Sequence, residues 1–148
     1  MSLESLLNGL PFVEHLGIEI EAIEEGYARG RVELTPELSS VPGRKIAHGG
    51  VAYSLADTVG GASVMSLHYA PTPTIDMRID YLAPGQNDLV AEAEVVRDGN
   101  SVAVAEIEIR DVEGTHVADA RGVFKTGGGE GETAWGPGSP ESTNGGTE

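Results

Sequence analysis

From His48 to Leu67 the chain reads HGGVAYSLADTVGGASVMSL, twenty residues without a Lys, Arg or Glu and with a single Asp. Val51, Leu55, Val59, Ala62 and Met65 recur at three-to-four spacing, which predicts a helix with one apolar face. The flanking face carries Ala52, Ala56, Gly60 and Ser63 instead of charges. Small residues there let other backbone come close, so the helix is expected to be buried most of the way round. The rest of the chain must therefore supply a surface that wraps it. Asp57 is costly in that setting, since an unpaired charge in an apolar interior is opposed by several kcal/mol. It is expected to be hydrogen-bonded, shifted in pKa, or placed where a cleft or subunit seam reaches it.

The start of this helix needs its own explanation. Gly49 and Gly50 each disfavour helix by about 1 kcal/mol relative to Ala. A helix N-terminus exposes unpaired N–H groups at the positive end of its dipole, and residues without side chains let a ligand oxygen reach them. His48 stands at that mouth, and Asp57 lies on the same helix. An oxyanion pocket with a nearby carboxylate suits acyl transfer. The plainer alternatives are that His48 merely leads into the helix and that the glycines serve close packing.

The chain has 148 residues, no Cys and a formal net charge of −15, with only two lysines, Lys45 and Lys125. That length supports one domain with a real core. The charge argues against nucleic acid or an anionic membrane as partner, and without Cys there is neither disulfide nor thiolate chemistry. MSLESLLNGL lacks a basic start and a cleavage site, and the weakly charged stretch from Thr58 to Ile75 is broken by Pro71 and Pro73, so a cytoplasmic protein is expected. Abundant acid with scarce Lys also suits a high-salt cytoplasm. His15, His68 and His116 share no ligand spacing, so neither a metal nor a cofactor is expected.

Ser2 to Leu10 predicts a short lid-like helix, capped by Ser2 and ended by Pro11. Gly17 to Ile23 and Tyr27 to Leu34 alternate around Glu24-Glu25-Gly26, which predicts a hairpin. Thr35 to Ala47 has no clear period and reads as a loop. After the central helix four strands are expected: Thr74 to Leu82, Asp88 to Arg97, Ser101 to Arg110 and Thr115 to Lys125. In the first of these Ile75, Met77, Ile79 and Tyr81 alternate with Asp76, Arg78 and Asp80, predicting one buried and one wet face. Asp98-Gly99-Asn100 and Val112-Glu113-Gly114 are turn sequences, making the last three strands an antiparallel meander. Residues 1–126 thus form one α+β domain, a sheet wrapped around one long central helix. Residues 127–148 read as a flexible acidic tail rich in Gly, Ser and Pro.

This order, with HGGVAYSLAD opening the central helix, resembles the hotdog-fold acyl-CoA thioesterases, specifically their phenylacetyl-CoA (PaaI-like) branch. The likeness covers roughly Leu10 to Lys125. It includes HGG, an Asp nine residues after the His, the strand TIDMRIDYL followed by APG, and the turn RDGN. The resemblance implies that Asp57 is the catalytic carboxylate, as nucleophile or as general base on water. It places the Gly49 N–H, with that of Gly50, on the thioester carbonyl, His48 beside it, and Thr74 near the attacking water. Tyr81 to Gln86, with Tyr81, Leu82, Ala83 and Pro84, and the turn of Arg97, Gly99, Asn100 and Ser101 correspond to segments that touch CoA. Arg44, Lys45 and Arg121 are further candidates for its phosphates. An acyl-CoA substrate follows, as does a homo-oligomer, a dimer with a continuous sheet commonly paired into a tetramer, with the site between two subunits. Many relatives carry an Asn some six residues before HGG; here the region reads Ser39-Ser40-Val41-Pro42-Gly43-Arg44, and Ser40 is the candidate substitute.

Two other readings share these residues. A non-catalytic acyl-CoA-binding module would keep the helix mouth without a competent carboxylate, and Asp57 speaks against it. A hotdog hydratase or dehydratase needs a paired His and acid, a poor fit for His48 and Asp57 nine residues apart on one helix. The acidic composition carries its own expectation, that the protein melts at higher temperature in molar KCl than at low salt. Greater stability at low salt would overturn it.

Overall fold

A computed structural model describes residues 2–127; the expected tail, 127–148, lies outside the described residues but for Gly127. Two short helices, α1 (Leu3–Asn8) and α2 (Pro11–Leu16), precede a hairpin of β1 (Ile18–Glu24) and β2 (Tyr27–Val32). A single 3-10 turn, Pro36–Leu38, interrupts the loop to the long helix α3 (Gly49–His68). The strands β3 (Thr74–Tyr81), β4 (Leu89–Asp98), β5 (Val102–Asp111) and β6 (His116–Lys125) follow. All six strands form one sheet in the order β1-β2-β4-β5-β6-β3, with antiparallel pairing throughout. The sheet curls around α3, which packs on β2, β4 and β5 and touches β1, β6 and β3 at the flanks. This is the hotdog architecture, and the α+β expectation holds.

The apolar face of α3 and the small-residue face beside it are both covered. Leu55, Ala56, Val59 and Ser63 are fully buried. The Ser63 and Ser66 hydroxyls donate to Gly60 O and Ser63 O, both at 2.6 Å, so neither is left unpaired. Ser66 Oγ also accepts the Gly26 N–H at 2.8 Å, tying the helix to the β1–β2 turn. A Cβ on Gly60 would lie 3.1 Å from Ile107 and 3.3 Å from Phe124. A Cβ on Gly30, in β2, would lie 2.8 Å from Val59 Cγ2. Glycines on both partners thus let helix and sheet approach more closely than side chains would permit.

Two expectations need correction. Pro11 does not simply end an N-terminal helix; α1 closes at Gly9 and Pro11 opens α2. Proline suits the first helical position, where no N–H is needed. The second concerns β3, where only Met77 of the four alternating apolar residues is buried; Ile79 is half-buried, and Ile75 and Tyr81 are 56% and 53% exposed. The cause is position: β3 is an edge strand paired only with β6, while α3 lies over the middle of the sheet. Asp76 and Asp80 are exposed on it, as a solvated face predicts.

Outside the curl, acids line up across strands. Glu92 pairs with Glu108, Glu108 with Asp119, and Asp119 with Asp80. Directly opposed like charges destabilise a sheet, which gives the salt expectation a structural location. The close approach at Gly30 is testable by itself. Gly30→Ala should lower stability by about 1–3 kcal/mol through overpacking, read as a drop in the urea midpoint; an unchanged midpoint would mean that Val59 yields freely.

Candidate active site

The segment leading into α3 is pinned from two sides. The Ala47 N–H donates to Gly85 O at 2.8 Å, and the His48 N–H donates to Leu38 O at 2.9 Å. Extended backbone at His48 (φ −59°, ψ 141°) makes it the N-cap. Its ring Nδ1 accepts the Gly50 N–H at 2.9 Å, and its carbonyl accepts the Val51 N–H at 2.8 Å. Accepting at Nδ1 places the neutral ring's proton on Nε2. Among the described residues the Gly49 N–H is left without a partner. The two glycines therefore differ: Gly49 offers a free donor, whereas the Gly50 amide is already engaged by His48.

The absence of side chains here also has an internal cause. A Cβ on Gly50 would lie 3.1 Å from His48 Nδ1, and one on Gly49 would lie 3.2 Å from the Tyr81 ring. Tyr81 crosses from the end of β3 and donates its hydroxyl to Gly49 O at 2.7 Å. Burial, and then the neighbouring Tyr53, push the Tyr81 phenol above its usual pKa, so it remains a donor at neutral pH.

One turn along, the Tyr53 hydroxyl donates to Met77 O at 3.1 Å. A further turn along, the Thr74 hydroxyl donates to Asp57 Oδ1 at 2.5 Å. Gly49, Tyr53 and Asp57 thus form one stripe at four-residue spacing, tied to Tyr81, Met77 and Thr74 of β3 running the other way. Asp57 is half-buried at this seam instead of sealed in the core. Thr74 orients one carboxylate oxygen. Tyr53 was not among the expected site residues, although its spacing from Gly49 and Asp57 is the signal that would have found it.

Leu82, Ala83 and Pro84 join His48, Gly49, Gly50 and Tyr81 around a cleft of about 670 Å³. A second cleft, of about 310 Å³, opens on the other side of the same helix mouth. The remaining expected residues lie elsewhere. Ser40 is exposed, and both its N–H and its hydroxyl donate to Ile46 O, at 2.9 and 3.3 Å; it borders the 41–45 turn, and Ser39 is its neighbour that reaches the mouth. Arg97, Gly99, Asn100 and Ser101 sit at the far end of α3, where His68 Nε2 and Asp98 Oδ1 meet at 2.7 Å. A twenty-residue helix spans about 30 Å, so one protomer does not bring that turn to Gly49.

Among the described residues the grouping with metal-ligand chemistry is Glu108, His116 and Asp119 on the outer face. Arg110 already bonds Glu108 at 2.6 Å and holds that carboxyl below its usual range, while His116 and Asp119 pair at 2.6 Å. No helix among the described residues is long and apolar enough to cross a membrane.

Residues 45–118, from the loop before HGG to the start of β6, match the family model of the thioesterase superfamily. A Halobacterium salinarum protein provisionally named as an esterase is 37% identical, over 83% of this chain and 89% of that protein. The Escherichia coli protein named medium/long-chain acyl-CoA thioesterase YigI is 30% identical, over 84% of this chain and 90% of its own. The solved structure of E. coli PaaI, from the phenylacetic acid degradation operon, superposes with a TM-score of 0.75 at 30% identity, covering 84% of this chain and 90% of that one. The chain is a hotdog-fold enzyme and belongs to the thioesterase superfamily.

The cap at the mouth yields a stability prediction. His48→Ala should cost about 0.5–2 kcal/mol, as N-cap removals do, and His48→Asn should restore most of it. Equal melting temperatures for all three proteins would show that the ring does not cap the helix.

Proposed function

We propose that the protein hydrolyses an aryl- or medium-chain acyl-CoA thioester to a carboxylic acid and free CoA, at a site completed by a second copy of the chain. The observation that carries this reading is the placement of Asp57 and the unpaired Gly49 N–H on one stripe of α3. Eight residues separate them, about 12 Å along the axis. An oxyanion donor and a base must both stand about 3 Å from the reacting groups. One protomer's Asp57 is therefore too far from its own Gly49. An antiparallel copy set against the exposed β3 edge removes that distance, with the two-fold near Tyr53, midway between the two residues. Exposed Ile75, Tyr81 and Leu82 beside half-covered Tyr53 supply apolar area for such a seam.

In this arrangement the Gly49 N–H stabilises the oxyanion, with the His48 Nε2–H beside it. Asp57 of the partner subunit, held by its Thr74, accepts a proton from water as the water oxygen bonds to the carbonyl carbon. The C–S bond then breaks and the proton passes to the departing thiolate, which needs little acid assistance. Attack by the carboxylate itself, through an anhydride that water then opens, uses the same atoms. Leu82, Ala83 and Pro84 border the approach for CoA, and Arg97 with its turn reaches the mouth only from a partner.

Free-thiol release from aryl- and fatty-acyl-CoAs in molar KCl tests the reaction. Asp57→Asn should lose about 10²–10⁴-fold while keeping the native oligomer by light scattering; native-like turnover would remove Asp57 from the mechanism. Gly49→Pro deletes the donor at a first helical position, which suits proline's backbone, and requires the Tyr81 ring, 3.2 Å from the added Cβ, to shift. Mixing it with Asp57→Asn should restore activity, because each mixed dimer holds one intact site. A mixture as inactive as its components would place the whole site in one subunit.

A further inference from the structure

The second cleft at the helix mouth has no role in the chemistry above. It lies between α2 and the first turns of α3, with Phe12 and Leu16 on one wall, Val51 on the other and Leu38 at its base. His48 and Gly50 border both this cleft and the one beside Tyr81. A group held at the Gly49 amide can therefore extend in either direction.

The chemistry of the two directions differs. Ser39 and Ser54 line the second cleft, but their hydroxyls are committed to the protein. Ser39 Oγ accepts the Val41 and Ile46 N–H groups at 3.1 Å and donates to Arg44 O at 2.6 Å. Ser54 Oγ donates to Gly50 O at 2.7 Å. The lone charge in the lining is Glu37, which is exposed. Apart from the His48 ring at its mouth, such a cleft offers a ligand mainly apolar contact. Its 310 Å³ falls at the lower end of the usual range for ligand pockets, about 300–1,000 Å³. Phe12 is 57% exposed, a large apolar ring kept at the rim without a covering partner among the described residues.

We infer that this cleft takes the alkyl chain of a linear acyl group, with Phe12 as the wall that sets its useful length, so that the substrate class is aliphatic rather than aryl. The inference rests on the thioester reading above, which fixes where the acyl carbon sits. The pantetheine arm then leaves on the Leu82–Pro84 side, and the acyl chain runs under α2. Of the residues of α2 only Val13 is buried in the core, while Phe12 and Leu16 line this cleft.

The test compares kcat/KM for butanoyl- to hexadecanoyl-CoA and for phenylacetyl-CoA among the native protein, Phe12→Ala and Ser54→Phe. In the native protein each added methylene should raise kcat/KM about fourfold until the cleft is full, the ratio that ~0.8 kcal/mol per buried methylene gives. Phe12→Ala, which removes the wall, should carry the rise on to longer chains. Ser54→Phe, which fills the cleft, should bring the plateau to shorter chains. A flat native profile, a preference for phenylacetyl-CoA over octanoyl-CoA, or unchanged profiles in both variants would overturn the assignment. Calorimetric binding of dodecanoate separates this from failure of the thioesterase reading. If no thioester is turned over yet the native protein binds dodecanoate and Ser54→Phe does not, the reaction is wrong and the cleft is right; equal binding by both proteins overturns the cleft as well.

Discussion

A helix of twenty residues with one carboxylate, no Lys and no Arg cannot face water along most of its surface, and the rest of the fold answers to that. Six antiparallel strands curl around α3, and the close fit comes from missing side chains as much as from present ones. Gly30 receives Val59, and Gly60 receives Ile107 and Phe124. Each large side chain buried there contributes about 1.5–3 kcal/mol, offset mainly by the conformational entropy of ordering the chain. The tight fit also holds α3 at fixed depth and rotation in the sheet, which is what makes its first turn a dependable place for chemistry.

At that turn the donors can be accounted for one by one. A helix start leaves several N–H groups unpaired; here the His48 ring takes one and the His48 carbonyl another. What remains is the Gly49 N–H, beside a tyrosine that grips its carbonyl. This free donor is thus what an otherwise completed cap leaves over. The glycine pair has two causes that coincide: rings from His48 and Tyr81 occupy the space where side chains would stand, and the same bareness leaves one amide accessible. Pinning the Ala47–His48 segment to Gly85 and Leu38 keeps this turn registered against both clefts.

The seam between α3 and β3 gives the protomer its unfinished look. Gly49, Tyr53 and Asp57 step along the helix one turn at a time, each tied to β3, and β3 has hydrogen-bond partners on one side only. Asp57 escapes the cost of a sealed charge because it emerges at this edge with Thr74 as donor. Ile75 and Tyr81 of β3 are exposed for the same reason. An alternating strand with one uncovered apolar face is unfavourable for an isolated protomer and suited to one that pairs.

Local spacing alone settled the central helix, its burial on the apolar and small-residue faces, the β1–β2 hairpin and the meander, because period and turn chemistry act over a few residues. The strand from Asp88 to Arg97 is displaced by one residue, to Leu89–Asp98. Asp57 stands out in the sequence as the single carboxylate of that helix; Thr74 enters there only through the family resemblance, and its bond to Asp57 is a finding of the structure. Long-range contact decided the rest. Pro11 can end one helix or open the next, and the packing of α2 on β1 selected the second. The alternation of β3 predicts a buried face, yet its pairing with β6 instead of its chain neighbour β4 put it at the edge. That Gly50 is already engaged, that Ser40 turns away from the mouth, and that Phe12, Leu16 and Leu38 wall a cleft there all depend on residues brought together from distant parts of the chain. Periodicity reports which side of an element is apolar; which surface covers it is decided only when the sheet closes.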